Sequence, residues 1–187
     1  MKKILITSVL YTAVTAILLG LGYPLLIFGL DHILFPHQAD GSLISRNGQI
    51  IGSRLIGQPF TGDAYFHSRP SAAGNGYDPT ASGGSNLGPT SAALISRINS
   101  SVAAEQIGKA PVPVDLVTAS GSGLDPDISP AAAYYQSPRV AHARHLPVSV
   151  VNHLIEDHIT ERLFGLLGEP RVNVLELNLA LNALSPQ

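Results

Sequence analysis

Hydrophobic positions are distributed very unevenly along this chain. Across residues 4–30 no side chain is charged; Lys2 and Lys3 precede the run and Asp31 follows it. At ~1.5 Å per residue a helix of that length reaches about 40 Å, more than a hydrocarbon core requires. The run therefore predicts a membrane-spanning helix. It is longer than the core of a signal peptide, and "GLDHILFPHQADGS" offers no small-x-small cleavage site, so an uncleaved anchor is expected. The two lysines place the N-terminus in the cytoplasm and the chain after Asp31 outside. Ser8, Thr12, Ala16 and Gly20 recur every four residues. That spacing suits close approach of a second helix, although such residues are also common in membrane helices generally.

Past the anchor the periods shorten and alternate. "SLISRNGQIIGSRLIG" predicts a β-hairpin, with Asn47-Gly48 as the turn between Leu43, Ile44 and Ile50, Ile51. Residues 88–108 predict a helix opened by residues 89–91, striped by Ala93, Leu94, Ile98, Val102 and Ile107, and closed by Gly108. "VPVDLVTAS" predicts a short strand. "ISPAAAYYQ" predicts a helix capped by Ser129 with Pro130 at its first position. Pro138 is expected to break it, leaving "RVAHARHL" as a second short helix. Residues 147–168 predict one amphipathic helix, with Val150, Val151, Leu154, Ile155, Ile159, Leu163 and Leu166 inward. "RVNVLELNLAL" alternates at Leu175, Leu177, Leu179 and Leu181, the period of a strand. The expected class is α+β: a single transmembrane helix in residues 1–30, then one mixed extracytoplasmic domain over residues 31–187.

Charge narrows the possible functions. Charged residues make up 13% of the 187 and the net charge is −2. That balance argues against nucleic acid as a partner. Beyond residue 30 there are nine Lys and Arg, of which only Lys109 is Lys, against thirteen Asp and Glu. Anionic lipid therefore meets no basic patch. The chain has no cysteine, which excludes disulfides, thiolate metal sites and Cys nucleophiles.

No catalytic constellation emerges. Phosphate-loop, dinucleotide, nucleophile-elbow and S-x-x-K patterns are all missing from the sequence. His142 and His145, and His153 with Asp157, have spacings that suit a metal, but no further ligand is indicated; His153, Asp157, His158 and Arg162 read better as a solvated face. Asp125-Pro126-Asp127 is a fragment of a calcium loop and reads better as a turn leading to the Ser129 cap. The stretch "YDPTASGGSNLGPTSAAL", residues 77–94, has one charged side chain, Asp78. Its composition is that of a linker, yet Tyr65, Phe66, His67 and Arg69 stand just before it. Amides of Ser82, Gly83, Gly84, Ser85 and Asn86 are candidates for an anion-binding nest ahead of the following helix; a tight loop fits the same glycines better.

Five strings carry a resemblance: "YFHSRPSA", "YDPTASGGSNLG", "VPVDLVTASGSGLDPDISPAAA", "PRVAHARHL" and "PRVNVLELNLAL". In this order they resemble the C subunit of Kdp-type potassium-transporting ATPases, over nearly the whole chain. The resemblance implies an accessory subunit in the plasma membrane of a bacterium or archaeon. Its partners would be a channel-like potassium-binding subunit and a P-type ATPase subunit. The subunit would need no cofactor of its own; ATP is used by the complex and K⁺ is the transported ion. The family is described as needed for assembly and as a catalytic chaperone that raises affinity for ATP.

With that role, the resemblance makes Ser82, Gly83, Gly84, Ser85 and Asn86 nucleotide-binding candidates, and the string resembles the signature loop of ABC-type ATPases; both conflict with the predicted topology. ATP binds in the cytoplasm, while residues 82–86 fall outside by the charge argument. The charge-free loop over residues 80–96 instead suggests contact with the channel-like subunit near its outer mouth. An alternative of another class is a membrane-tethered domain that binds an anion or other ligand by itself.

Overall fold

The structure is a computed structural model, and it describes residues 1–184. The apolar run forms one continuous helix, Lys2–Leu34, of 33 residues, long and apolar enough to cross a membrane. It consists of α1 (Lys2–Ile17), a π-turn (Leu18–Gly22) and α2 (Tyr23–Leu34). Pro24 accounts for the π-turn. It has no N–H, and its ring crowds the carbonyl four residues back. The helix widens there, and the Tyr23 amide reaches Leu18 O. No residue of the helix is buried within the chain. It continues beyond Leu30, so Asp31 and His32 lie in its final turns.

The chain divides into two units, Met1–Ile51 and the remainder from Gly52. After α2 come the short α3 (Pro36–Ala39) and a hairpin of β1 (Leu43–Arg46) and β2 (Gln49–Ser53). Asn47 and Gly48 both take positive φ, 53° and 77°, as a two-residue turn with the twist of paired strands requires.

The second unit contains α4 (Ala92–Glu105), β3 (Asp127–Ile128), α5 (Pro130–Arg144), α6 (Val148–Asp157), β4 (Ile159–Thr160), β5 (Arg171–Asn173) and α7 (Val174–Leu184). Its strands form a small antiparallel sheet in the order β3-β5-β4, with Val172 between Ile128 and Ile159. Val172 is fully buried. Phe66, Leu116, Val140, Val151, Ile155, Leu177 and Leu181 join it in one core. The α+β class expected from the sequence is the class observed.

Four local expectations fail. "VPVDLVTAS" contains a 3₁₀ turn, Val114–Leu116, not a strand. Thr118 closes it with its amide and hydroxyl both on Val114 O, at 3.0 and 2.7 Å. Pro138 does not break α5, which runs through it. The carbonyl this proline leaves without its usual donor is that of Tyr134, and the Ser137 hydroxyl donates to it at 3.0 Å. The helix predicted over residues 147–168 stops at Asp157. Leu163 and Leu166, expected inward, are 60% and 81% exposed. Finally, the strand predicted over "RVNVLELNLAL" is only β5; from Val174 onward the segment is helical.

Candidate functional site

The segment "YFHSRPSA" crosses the core without regular structure, and two amide side chains supply what a neighbouring strand would. Asn178 of α7 accepts from the Phe66 amide at 2.9 Å and donates to its carbonyl at 3.0 Å. Gln136 of α5 does the same one residue on, accepting from His67 N at 2.7 Å and donating to His67 O at 3.2 Å. Both side chains are buried. A buried backbone must find partners somewhere, and here helices provide them. His67 then presents Nδ1 to Glu105 of α4 at 2.9 Å and Nε2 to Gly62 O at 3.0 Å.

From that pinned segment the chain enters the glycine-rich loops. Arg69 pairs with Asp125 at 2.9 Å. Ser71 is a junction: its hydroxyl donates to Gly123 O at 2.6 Å and accepts from Tyr77 N at 2.7 Å and Ala73 N at 3.2 Å. The Tyr77 hydroxyl donates back to Arg69 O. Burial holds the Tyr77 phenol above its usual range, reinforced by the nearby Glu105 charge and partly offset by a hydrogen bond with Ser68. Asp78 caps the next turn, accepting from the Thr80 hydroxyl at 2.7 Å and amide at 2.9 Å. Those two bonds favour its charged form and hold its carboxyl low.

The sequence strings "ASGGSN" and "ASGSGLDPD" meet here. Gly83 N and the Ser82 hydroxyl both donate to Ser122 O, at 2.8 and 3.0 Å. Gly123 is buried with φ +67°, and a Cβ there would lie 2.6 Å from both Ala73 N and Gly83 O. At Gly84 an added Cβ would come within 3.2 Å of Gly121 O. The glycines let two backbones touch. The Gly83 amide and Ser82 hydroxyl are thus spent on the partner loop. Gly83, Gly84 and Ser85 are half-buried, and Ser82 and Asn86 are exposed. The two loops are thus joined through residues 82–84 and 121–123.

The remaining candidates fall elsewhere. Ser8 and Thr12 lie on α1, with the Ser8 hydroxyl donating to Leu5 O and Thr12 O accepting from Thr15; Ala16 follows on α1 and Gly20 is in the π-turn. His142 and His145 are both exposed; His145 ends α5 in the left-handed conformation. His153 is exposed beside Glu156 and Asp157. Among the described residues no group of three or more His, Asp or Glu is placed to hold a metal. Asp125 binds Arg69 and accepts from Asp127 N at 3.1 Å, the turn expected ahead of Ser129, whose hydroxyl caps α5 at Ala132 N. An open depression of about 500 Å³ lies beside it. Each of its carboxylates is engaged: Asp125 by Arg69, Asp127 by Arg171, Glu169 by Arg162 and Asp115 by Ser129 N. Sequence reasoning missed Gln136 and Asn178. The available signal was a polar residue at an inward helical position, "AAAYYQS" and "LELNLAL".

Comparison with known proteins agrees with the loop-bearing strings. The chain matches the family model KdpC, K⁺-transporting ATPase c chain, over residues 5–183. It is 66% identical over 178 residues to a potassium-transporting ATPase KdpC subunit of Acidobacterium capsulatum, covering 95% of this chain and 97% of that one. Identity is 58% to the KdpC subunit of Koribacter versatilis, over 100% of this chain and 97% of the relative. For the KdpC subunit of Methylobacterium nodulans it is 56%, over 96% of each. The chain therefore belongs to the KdpC family, the c chain of K⁺-transporting ATPases.

Proposed function

We propose that this chain is a non-catalytic, single-pass accessory subunit of an ATP-driven potassium uptake complex in the plasma membrane. Its N-terminus is cytoplasmic and its second unit is extracytoplasmic. Its partners are a channel-like potassium-binding subunit and a P-type ATPase subunit. The anchor packs against a partner helix through Ser8, Thr12, Ala16 and Gly20. The subunit supports assembly and acts as a catalytic chaperone that raises the complex's affinity for ATP. It does this indirectly: residues 82–86 are contact residues rather than a nucleotide site, and they meet the channel-like subunit near its outer mouth.

The single observation carrying this reading is the locked pair of glycine-rich loops. Residues 80–96 carry no charge; Ser82 and Gly83 are tied to Ser122 O, and Gly123, itself bonded by Ser71, packs against Gly83 O. A rigid, polar, uncharged surface can sit beside a cation's entry path without repelling the ion. The family to which the chain belongs supplies the ion. Replacing the exposed Ser82 with Trp tests the contact. The expected result is weakened potassium affinity of the complex, with the isolated chain still folded and destabilised by no more than about 1 kcal/mol, the worth of the lost Ser82–Ser122 hydrogen bond. Unchanged assembly and unchanged potassium affinity would remove this surface from the mechanism.

A further inference from the structure

Residues 161–170 form a second hairpin-like projection that the proposed function leaves unused. Leu163 and Leu167 pair across it, with mutual amide-to-carbonyl bonds of 2.9 and 3.0 Å. Phe164, Gly165 and Leu166 make the turn, the first two with positive φ, 55° and 71°. Arg162 and Glu169 close the neck as an ion pair. The stem is continuous with the sheet, since β4 and β5 flank the projection and pair with each other. So the tip is held rigidly with respect to the core.

What it holds out is apolar. Leu163, Phe164, Leu166 and Leu167 are 60, 85, 81 and 61% exposed, within six consecutive residues that carry no charge. Contiguous exposed apolar side chains of this size mark a contact. The turn chemistry strengthens the point. Positive φ suits Asn and Gly, as Asn47-Gly48 shows in the first hairpin, and is costly for an aromatic residue. Phe164 therefore weakens its own turn and gains nothing inside the chain.

We infer that this tip is a knob that seats in an apolar socket with a basic rim on another subunit of the same complex. Charge selects that occupant over a lipid surface. With Arg162 and Glu169 paired, Glu161 leaves the neck one negative charge, and the projection contains no Lys, Trp or Tyr. A bilayer anchor draws on aromatic belts and basic side chains, whereas a protein socket needs only shape, apolar walls and complementary charge at the rim. The inference rests on the reading of the chain as part of a multi-subunit complex.

Two variants and a cross-linker test it, on the full-length chain in its native host membranes. Phe164→Asn relieves the turn, so the melting temperature of the detergent-solubilised chain holds or rises. Recovery of partner subunits with the tagged chain falls about tenfold or more, as truncating a central anchor does. Phe164→Ser with Leu166→Ser gives the same loss. A photo-cross-linking residue at position 164 forms an adduct with a subunit that also co-purifies with the unaltered chain in fixed ratio. Undiminished recovery with both variants, or adducts to lipid alone, overturns the knob and leaves the accessory-subunit reading standing. If the unaltered chain recovers no partner, both fall.

Discussion

Gly123 sits where two loops cross, buried, with φ +67° and no room for a Cβ against Ala73 N and Gly83 O. Gly123→Val is expected to cost about 2–4 kcal/mol, combining a disfavoured φ with overpacking. Urea denaturation of the variant measures it. Ser71→Ala deletes one donor and leaves the Tyr77 amide without its acceptor, for about 1–3 kcal/mol in the same measurement. Asp127 gives a pH signature. Burial raises its folded pKa above the ordinary 3.8, with Arg171 only partly offsetting that and the Asp125 charge adding to it. A carboxyl raised on folding binds its proton more tightly in the folded state. Its contribution to stability is therefore fully present below the unfolded value and declines as pH rises from about 4 through the folded value. Asp127→Asn should remove that decline; an identical pH profile for variant and parent would count against it.

Helices and strands show what the sequence made readable and what it hid. The Asn47-Gly48 hairpin and the Ser129-Pro130 helix start were visible because each rests on local chemistry, turn φ for the first and cap geometry with a missing donor for the second; the body of α4 was visible from its apolar stripe. The end of α5 was hidden because Pro138 is rescued by a neighbour's hydroxyl, which no hydrophobic pattern encodes. Ser137→Ala should leave the buried end of that rescue empty and cost about 1 kcal/mol. A helix that then frays from Tyr134, seen as faster amide exchange over residues 134–144, is the expected accompaniment. In α7 the leucines fit a strand period only if Asn178 points outward. It points inward, bonded to Phe66, and Val174, Leu177, Asn178 and Leu181 form a helical face. The correct signal was present in "NVLE": Asn173 accepts from Glu176 N at 3.1 Å, the bond that opens a helix. Asn173→Ala should lower stability by about 1 kcal/mol from the cap alone, and more through its lost bonds to Arg54 O and Asp127. Of the candidate site, the strings were readable in sequence; their mutual locking was not, because Ser71, Ser122 and Gly123 meet only in the fold.

At the scale of the whole molecule, the chain has one helix long and apolar enough to cross a membrane and a compact second unit, no group of three or more His, Asp or Glu is placed for a metal among the described residues, and the family is that of an ATPase subunit. A complex prepared without it should show a raised KM for ATP, restored when the chain is added back; an unchanged KM would remove the chaperone role. The most direct test comes before any kinetics. The chain, tagged at its C-terminus, is drawn from native membranes in mild detergent, and whatever accompanies it is identified and quantified by mass spectrometry. The account predicts a channel-like potassium-binding subunit and a P-type ATPase subunit in near-equal amounts with the chain. Recovery of the folded chain alone would contradict it.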